Sequence, residues 1–356
     1  MKATKECKQL SFKGQDLFIG IDVHKRSWKV TIRTNSMELK TFSMEPEPQQ
    51  LQTHLRKNYP NGEYHSVYEA GFCGFWIHKQ LVELGIKNIV VNAADIPTRH
   101  KERDRKSDQI DSRKLARELE NKTLEGIYVP DNKALAIRSV SRNYMRVVKE
   151  LVRIKQRIKS LLDFHGIKTP EKDEIHHWSG RFIKWLRDIE FTEEDLDQSY
   201  KMYLDEYERI REERLQIIRQ MRKIVEGNKV IKILRTIPGI GFVVSFVLFA
   251  EIIDIKRFNN SDNLASYVGV VPSVNGSGEK ERVKGLTKRK NKYLRNLLIQ
   301  SAWVAIKTDP ALTMAYSDYL KRMDSKKAII RIARKLINRV RYVWINEKEY
   351  VSGIVE

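Results

Sequence analysis

Apolar and polar residues alternate in short blocks over the first third of the chain. Leu17, Phe18, Ile19 and Ile21 form one apolar run, and after His24 and Lys25 a second run, Trp28 to Ile32, alternates apolar with polar or charged side chains. This spacing predicts two strands joined by a tight turn. The same reading places strands near 17–24, 27–34 and 38–43, a helix near 46–58, a strand near 64–69 and a helix near 74–84. A strand near 86–92 and a helix from about 108 to 120 follow. Three consecutive strands and then strand–helix alternation predict an antiparallel meander extended by parallel βαβ units, a mixed α/β sheet with ligand sites at its strand ends. Trp76 and Trp185 are expected in cores.

Beyond Pro130 the period changes. Ile137, Val140, Tyr144, Val147, Leu151, Ile154, Ile158 and Leu161 step by three and four without a break, the pattern of a heptad seam. A turn-rich stretch from Gly166 to Lys172 and a short helix near Trp178 to Leu186 come next. The stepping then returns at Tyr200, Tyr203, Tyr207 and Ile210, is interrupted by Arg214, and resumes at Ile217, Met221 and Ile224. Two long helices are expected, paired either as a hairpin within the chain or as an oligomerisation seam. From Val230 the turn Pro238-Gly239-Ile240-Gly241 separates two apolar helical stretches. The loop VVPSVNGSGEKERVKGLTKRKN follows, and helices run on to about Val343. The expected organisation is an N-terminal tail over 1–16, an α/β domain over 17–130, a helical hairpin over 131–228 and a mainly helical domain over 229–356, with no Pro- or Gly-rich linker between them.

Charge narrows the function. The 356 residues carry 67 Lys plus Arg against 46 Asp plus Glu, a net charge of +21 that favours a polyanion, nucleic acid first. A membrane is the rival, but the longest apolar run, Ile240 to Ala250, ends at Glu251, well short of the ~20 residues a span needs. It reads as a core helix. The N-terminal MKATKECKQLSFKGQ has no apolar stretch resembling a signal peptide, and Cys7 and Cys73 are too few for a disulfide framework, so a reducing cytoplasmic setting is expected.

Asp22 sits in the apolar strand run, where a carboxylate is costly to bury without a proton, a cation or a hydrogen-bond partner. Glu69 ends the next such strand, Tyr64 to Tyr68, in an equivalent position. Asp108 and Asp111 stand three apart at the start of the helix SDQIDSRKLAREL, on one face, with Ser107 as the candidate N-cap. Two strand-end acids and a helical acid pair match what a divalent-metal phosphoryl-transfer site requires, because Mg²⁺ takes hard oxygen ligands. Acids in a first helical turn also serve the helix dipole, and seven Lys or Arg between Arg99 and Lys114 are alternative partners for them. His24 and the pair His176-His177 lack the spacing of a zinc site with Cys partners.

The order of these acids resembles the RuvC-like branch of the RNase H fold, and more closely the DEDD transposases of bacterial insertion sequences, which include the Piv-type DNA invertases. The matching residues are Asp22 in IGIDVHK, Glu69 in YEAG, and Asp108 with Asp111 in KSDQIDSRKLA. The resemblance extends to the second half, in LRTIPGIGFVVSFVLFAEI and LASYVGVVPSVNGSGEKERVKGLTKRKNKYLRNLLIQSA, and so covers nearly the whole chain. It implies that the four acids bind Mg²⁺, with Mn²⁺ as a substitute, and that a serine after the Gly-Val-Val-Pro turn links covalently to DNA. Ser277, fifth after Pro272, is the candidate for that serine, and Ser273 competes with it. The resemblance also implies donor and target double-stranded DNA, a structured noncoding bridge RNA, a dimer or tetramer, and a bacterial cytoplasmic location with nucleoid association on DNA. Relatives commonly have Gly where this chain has Lys290.

Local chemistry fits that serine. Gly276 and Gly278 flank Ser277, leaving room for the backbone to approach a phosphate closely. Eight Lys or Arg (Lys280, Arg282, Lys284, Lys288, Arg289, Lys290, Lys292 and Arg295) face two Glu between Glu279 and Arg295, a net +6 suited to a DNA backbone. A serine hydroxyl is a weak nucleophile without a base or metal, and the local sequence offers none. The turn at Gly239 and Gly241 reads either as a helix-hairpin-helix phosphate site or as a simple interhelical turn. The expected function is that of an Mg-dependent DNA recombinase. The alternatives are a RuvC-like structure-selective nuclease and a non-catalytic nucleic-acid-binding scaffold.

Overall fold

The computed structural model describes residues 11–97, 108–171, 173–277 and 280–353. The chain divides into two compact units at Val129 and Pro130. In the first, strands β1 (Asp16–Val23), β2 (Trp28–Thr34), β3 (Met37–Met44), β4 (Glu63–Glu69) and β5 (Lys87–Val91) form one sheet in the order β3-β2-β1-β4-β5. β1 runs antiparallel to β2 and parallel to β4, so the sheet changes from antiparallel to parallel at β1. Among the described residues, helices α1 (Pro48–Asn58), α2 (Trp76–Glu83) and α3 (Asp108–Glu120) accompany the sheet. The mixed α/β sheet is the expected one, built as a RuvC-like domain is.

Strand alternation decides which side chains meet which helix. Leu17, Ile19 and Ile21 of β1 point to one face, where with Val30, Ile32, Tyr68 and Val90 they bury Leu51 and Leu55 of α1 and Ile77 and Leu81 of α2. The intervening residues Phe18, Gly20 and Asp22 point to the other face. There Val67, Val91 and Ile96 pack on Leu115 of α3. Trp28 is fully buried, whereas Trp76, expected in a core, is 45% exposed and covers Trp28 from outside.

Gly20 sets the position of α3. A Cβ at Gly20 would lie 2.2 Å from the Ser112 carbonyl oxygen and 2.4 Å from the Ala116 amide nitrogen, so the helix backbone rests directly on β1. Two polar contacts from β2 fix its direction. Thr31 and Ser112, both buried, share a 2.9 Å hydroxyl bond, and Arg33 Nε donates to Glu120 at 2.8 Å. Asp108, Ser112, Ala116 and Glu120 are spaced by four and share one helix face. The helix therefore runs back along β1 with its first turn at the strand's C-terminal end.

The second unit opens with α4 (Asn132–Phe164), whose first turn is capped by Asp131 accepting from Ala134 N–H. After α5 (Gly180–Arg187) comes α6 (Glu194–Ile224). Arg146 pairs with Glu213 and Arg157 with Glu206, so α4 and α6 run antiparallel. Tyr144, Val147, Leu151, Ile154 and Ile158 bury against Tyr200, Tyr207, Ile210, Ile217 and Met221. Of the two pairings open from the sequence, the seam is filled within the chain. Helices α7 (Lys229–Leu234), α8 (Phe242–Ile252), α9 (Ser261–Val268), α10 (Leu294–Ala305), α11 (Pro310–Leu320) and α12 (Ser325–Asn346) build the remaining core. The serine-containing stretch, read from sequence as a loop, contains a two-stranded hairpin, β6 (Pro272–Ser277) with β7 (Lys280–Leu286). Its strands are short and mostly polar, so the period-two pattern that marks a half-buried strand is faint there. No helix among the described residues is long and apolar enough to cross a membrane.

Gly20→Ala is expected to destabilise the first unit by about 1–3 kcal/mol or more, because the added methyl meets backbone that cannot rotate away. A urea titration should show a lower midpoint with an unchanged slope.

Candidate active site

The face rule that places Gly20 against α3 also places Asp22. β1 and β4 pair in parallel as far as Ile21 and Tyr68, so Asp22 and Glu69, each one residue further on, end neighbouring strands side by side. Both lie on the α3 face, with Gly20 and Val67 two residues before them. The helix brings its first turn to the same edge. Asp108 is the first described residue of α3, and Ser107 lies outside the described residues.

His24 joins the acids. Its Nε2 lies 3.0 Å from Asp22 Oδ2 and 3.6 Å from Asp108 Oδ2. Donor atoms of Asp22, His24 and Asp108 all fall within 4.8 Å of one another. Burial raises the Asp22 carboxyl above the usual carboxylate range, His24 opposes the shift, and the charges of Asp111 and Asp108 add to it. Asp22 therefore senses both helical acids. Glu69 is exposed at the neighbouring strand end and is not part of the close triad. A cleft of about 350 Å³ opens beside the triad, lined by His24, Ser27, Lys29, Ser43, Asp108 and Gln109.

Two hard carboxylate oxygens and an imidazole nitrogen converging on one point make a donor set that fits a divalent cation, which would also relieve the repulsion felt by Asp22. His24 lacks zinc-site spacing, and that spacing is not its signal. The usable signal was its place two residues after Asp22, beyond the strand end, where a short turn returns it to the same edge. A second group, Asp16, Glu63 and His65, lies at the opposite strand ends. Its two acids are exposed and already partnered, Asp16 with His65 at 2.8 Å and Glu63 with Lys87 at 2.6 Å.

Ser277 is the last residue of β6 and pairs in register with Lys280, at the end of the hairpin where the two strands are joined. Ser273 lies near its base. Gly278 and Glu279 fall outside the described residues, and Lys280, Arg282 and Lys284 are on β7. Lys288, Arg289 and Lys292 are exposed in the segment that follows. Arg295 differs from its expected role as a phosphate contact. It is only 8% exposed, and its Nη2 donates to the carbonyls of Thr287 and Arg289, so it braces that segment's backbone from within. Gly239 has φ 82°, and a Cβ there would lie 2.3 Å from the Ser301 carbonyl oxygen, so α10 packs against this turn. Gly241 is the N-cap of α8. A shallow cleft joins Arg235 to this turn, with Val304 and Thr308 on its other wall.

The base of the hairpin is tied to a buried carboxylate. Glu251 of α8 has no exposed surface. It accepts two bonds from Arg142 of α4, at 2.9 and 3.1 Å, and one from Asn291 Nδ2 at 3.0 Å, while Arg138 stands 3.8 Å away. Asn291 Oδ1 in turn accepts from the N–H groups of Tyr293 and Leu294, which starts α10. Nothing in the sequence distinguished Glu251 except its place at the end of an apolar run.

Comparison with known proteins agrees with both halves of this arrangement. Residues 19–167 match the family DEDD_Tnp_IS110, described as "Transposase", and residues 231–317 match "Transposase IS116/IS110/IS902 family". The protein y4rJ of Sinorhizobium fredii is 28% identical over 315 residues, covering 81% of this chain and 78% of that protein. The transposase for insertion sequence element IS1533 of Leptospira borgpetersenii is 26% identical over 297 residues, covering 81% of this chain and 84% of its own.

Glu251→Ala is expected to cost about 3–5 kcal/mol, since it strips the counter-charge from Arg138 and Arg142 and the acceptor from Asn291. Thermal unfolding of the variant checks this, and Glu251→Gln, which keeps an acceptor, should lose less.

Proposed function

The chain belongs to the IS110 family of insertion-sequence transposases, and from that premise we propose that it cuts and rejoins DNA at a divalent-metal site formed by Asp22, Glu69, Asp108 and Asp111, with Ser277 as nucleophile. The observation that carries this reading is the meeting of Asp22 and Asp108 at the end of β1, two acids 86 positions apart in the sequence. Bound there, Mg²⁺ or Mn²⁺ would supply Lewis-acid stabilisation of a phosphate undergoing displacement. Asp22, Glu69, Asp108 and Asp111 would hold it, and His24, 3.0 Å from Asp22 Oδ2, would orient that carboxylate. The cleft beside the triad admits the phosphate, with Lys29 on its wall.

Ser277 attacks phosphorus, expels one deoxyribose oxygen and leaves the strand esterified to the protein. A hydroxyl of the partner duplex then displaces the serine oxygen. One phosphoester replaces another at each step, so no energy cofactor is required. The exposed Lys288, Arg289 and Lys292 contact backbone phosphate. Donor and target duplexes, a structured bridge RNA and further copies of this chain are the proposed partners.

Asp22→Asn, Glu69→Gln, Asp108→Asn and Asp111→Asn should each abolish strand exchange with the fold retained. Mg²⁺ added to metal-free protein should raise the melting temperature of the wild type and not of Asp22→Asn. Near wild-type recombination by these variants would remove the metal site.

Trapping on labelled DNA, followed by peptide mapping, is expected to give an adduct on Ser277. Ser277→Ala should lose the adduct and strand exchange while keeping the Mg²⁺ response. An adduct on Ser273 would reassign the nucleophile.

A further inference from the structure

Arg214 breaks the apolar seam of α6, and α4 presents Lys155 close to that break. The Lys155 ammonium lies 4.7 Å from the centre of the Trp178 ring and 5.7 Å from that of Tyr207. Tyr207, Arg211 and Arg214 follow at i, i+4 and i+7 on one face of α6, so two guanidinium groups line up beside the ammonium. One turn along α4, Lys159 donates to His177 Nδ1 at 2.9 Å, and His177 Nε2 donates to the Pro170 carbonyl at 3.0 Å.

Several arginines of the same two helices are neutralised by nearby acids. Arg146, Arg157, Arg209 and Arg219 of the same two helices each have a carboxylate within 4.0 Å. Among the described residues, Lys155, Lys159, Arg211 and Arg214 make no such pair. Burial, then Arg214 and Arg211, push the Lys155 ammonium below the ordinary lysine range. Trp178, whose ring covers it, has φ 66°, a left-handed backbone that a bulky residue keeps only where its surroundings hold it. The fold thus gathers cations beside aromatic faces, and the nearest acid on that stretch of α6, Glu208, is paired with Arg187.

We propose that Lys155, Arg211 and Arg214 form a seat for a backbone phosphate of nucleic acid on the helical hairpin, with Lys159 extending it along α4. Guanidinium forks match phosphate oxygens, and the ammonium adds a point charge held in place by Trp178 and Tyr207. A chain carrying an excess of 21 positive charges would meet that phosphate on a polymer. The site goes beyond the strand-exchange reading and rests on it only in taking nucleic acid as the ligand.

The test uses the full chain and three labelled probes of equal length, an RNA hairpin, single-stranded DNA and duplex DNA, titrated by fluorescence anisotropy at several salt concentrations. For the double variant Lys155→Gln, Arg214→Gln, affinity for at least one probe should fall roughly tenfold and the salt slope should shrink by about two. Its melting temperature should not fall below that of the wild type, because a repulsion is removed. Arg219→Gln, which takes a paired cation from the same helix, should bind as wild type. The probe most affected identifies the strand. Unchanged affinity and slope for all three probes would overturn the seat, as would an equal loss in Arg219→Gln. If the wild type bound none of the probes, the seat and the DNA reading would fall together.

Discussion

The contact between the bare Cα of Gly20 and the backbone of α3 governs the first unit. A helix ordinarily stands off a sheet by the depth of the side chains between them. Here one missing side chain lets Ser112 and Ala116 approach β1 directly. The first turn of α3 thereby reaches the strand end, and Asp108 comes within range of His24 and Asp22. Thr31 and Arg33 then fix the helix against rotation and sliding. Packing at Gly20 and chemistry at Asp22 are two results of one approach, two residues apart on the same strand face.

Much of this was legible in the sequence, for physical reasons. The strands and helices of the first unit carry strong two-fold and 3.6-fold periods, and β1, β4 and α3 lie within a residue or two of their expected limits. Asp22 and Glu69 were noticeable because a carboxylate interrupts an apolar strand run. Other features carried no such mark. Gly20 reads as an ordinary strand glycine until the helix above it is known. His24 lacks the spacing of a zinc ligand, and its carboxylate neighbours Asp22 and Asp108 are evident only in the fold. The polar β6–β7 ribbon lacked the alternation that reveals a buried face. Arg295 has the same charge as its basic neighbours, and only the fold shows that it is buried with Nη2 on backbone carbonyls.

The two long helices combine two kinds of contact. A continuous apolar seam fixes their register, with Tyr200 and Tyr207 as its largest members on α6. Ion pairs along the flanks, Arg146 with Glu213 and Arg157 with Glu206, add direction more than strength, since exposed pairs contribute only tenths of a kcal/mol to about one. The seam is satisfied within one chain, so its apolar positions do not by themselves call for a second copy. The polar break at Arg214 is tolerated because the residues on either side, Ile210 and Ile217, are buried.

Glu251 links parts of the second unit that are far apart in sequence. One carboxylate holds Arg142 near the start of the long helix and Asn291 at the exit of the serine hairpin. These bonds are short and directional, and no solvent reaches Glu251 to replace them. A displacement of α4 along its axis therefore has two outcomes: the bidentate pair breaks, or α8 and Asn291 travel with the helix and carry the first turn of α10. Mechanically, the network is a rigid coupling, through which force applied to the helical arm arrives at the segment carrying Lys288 and Arg289.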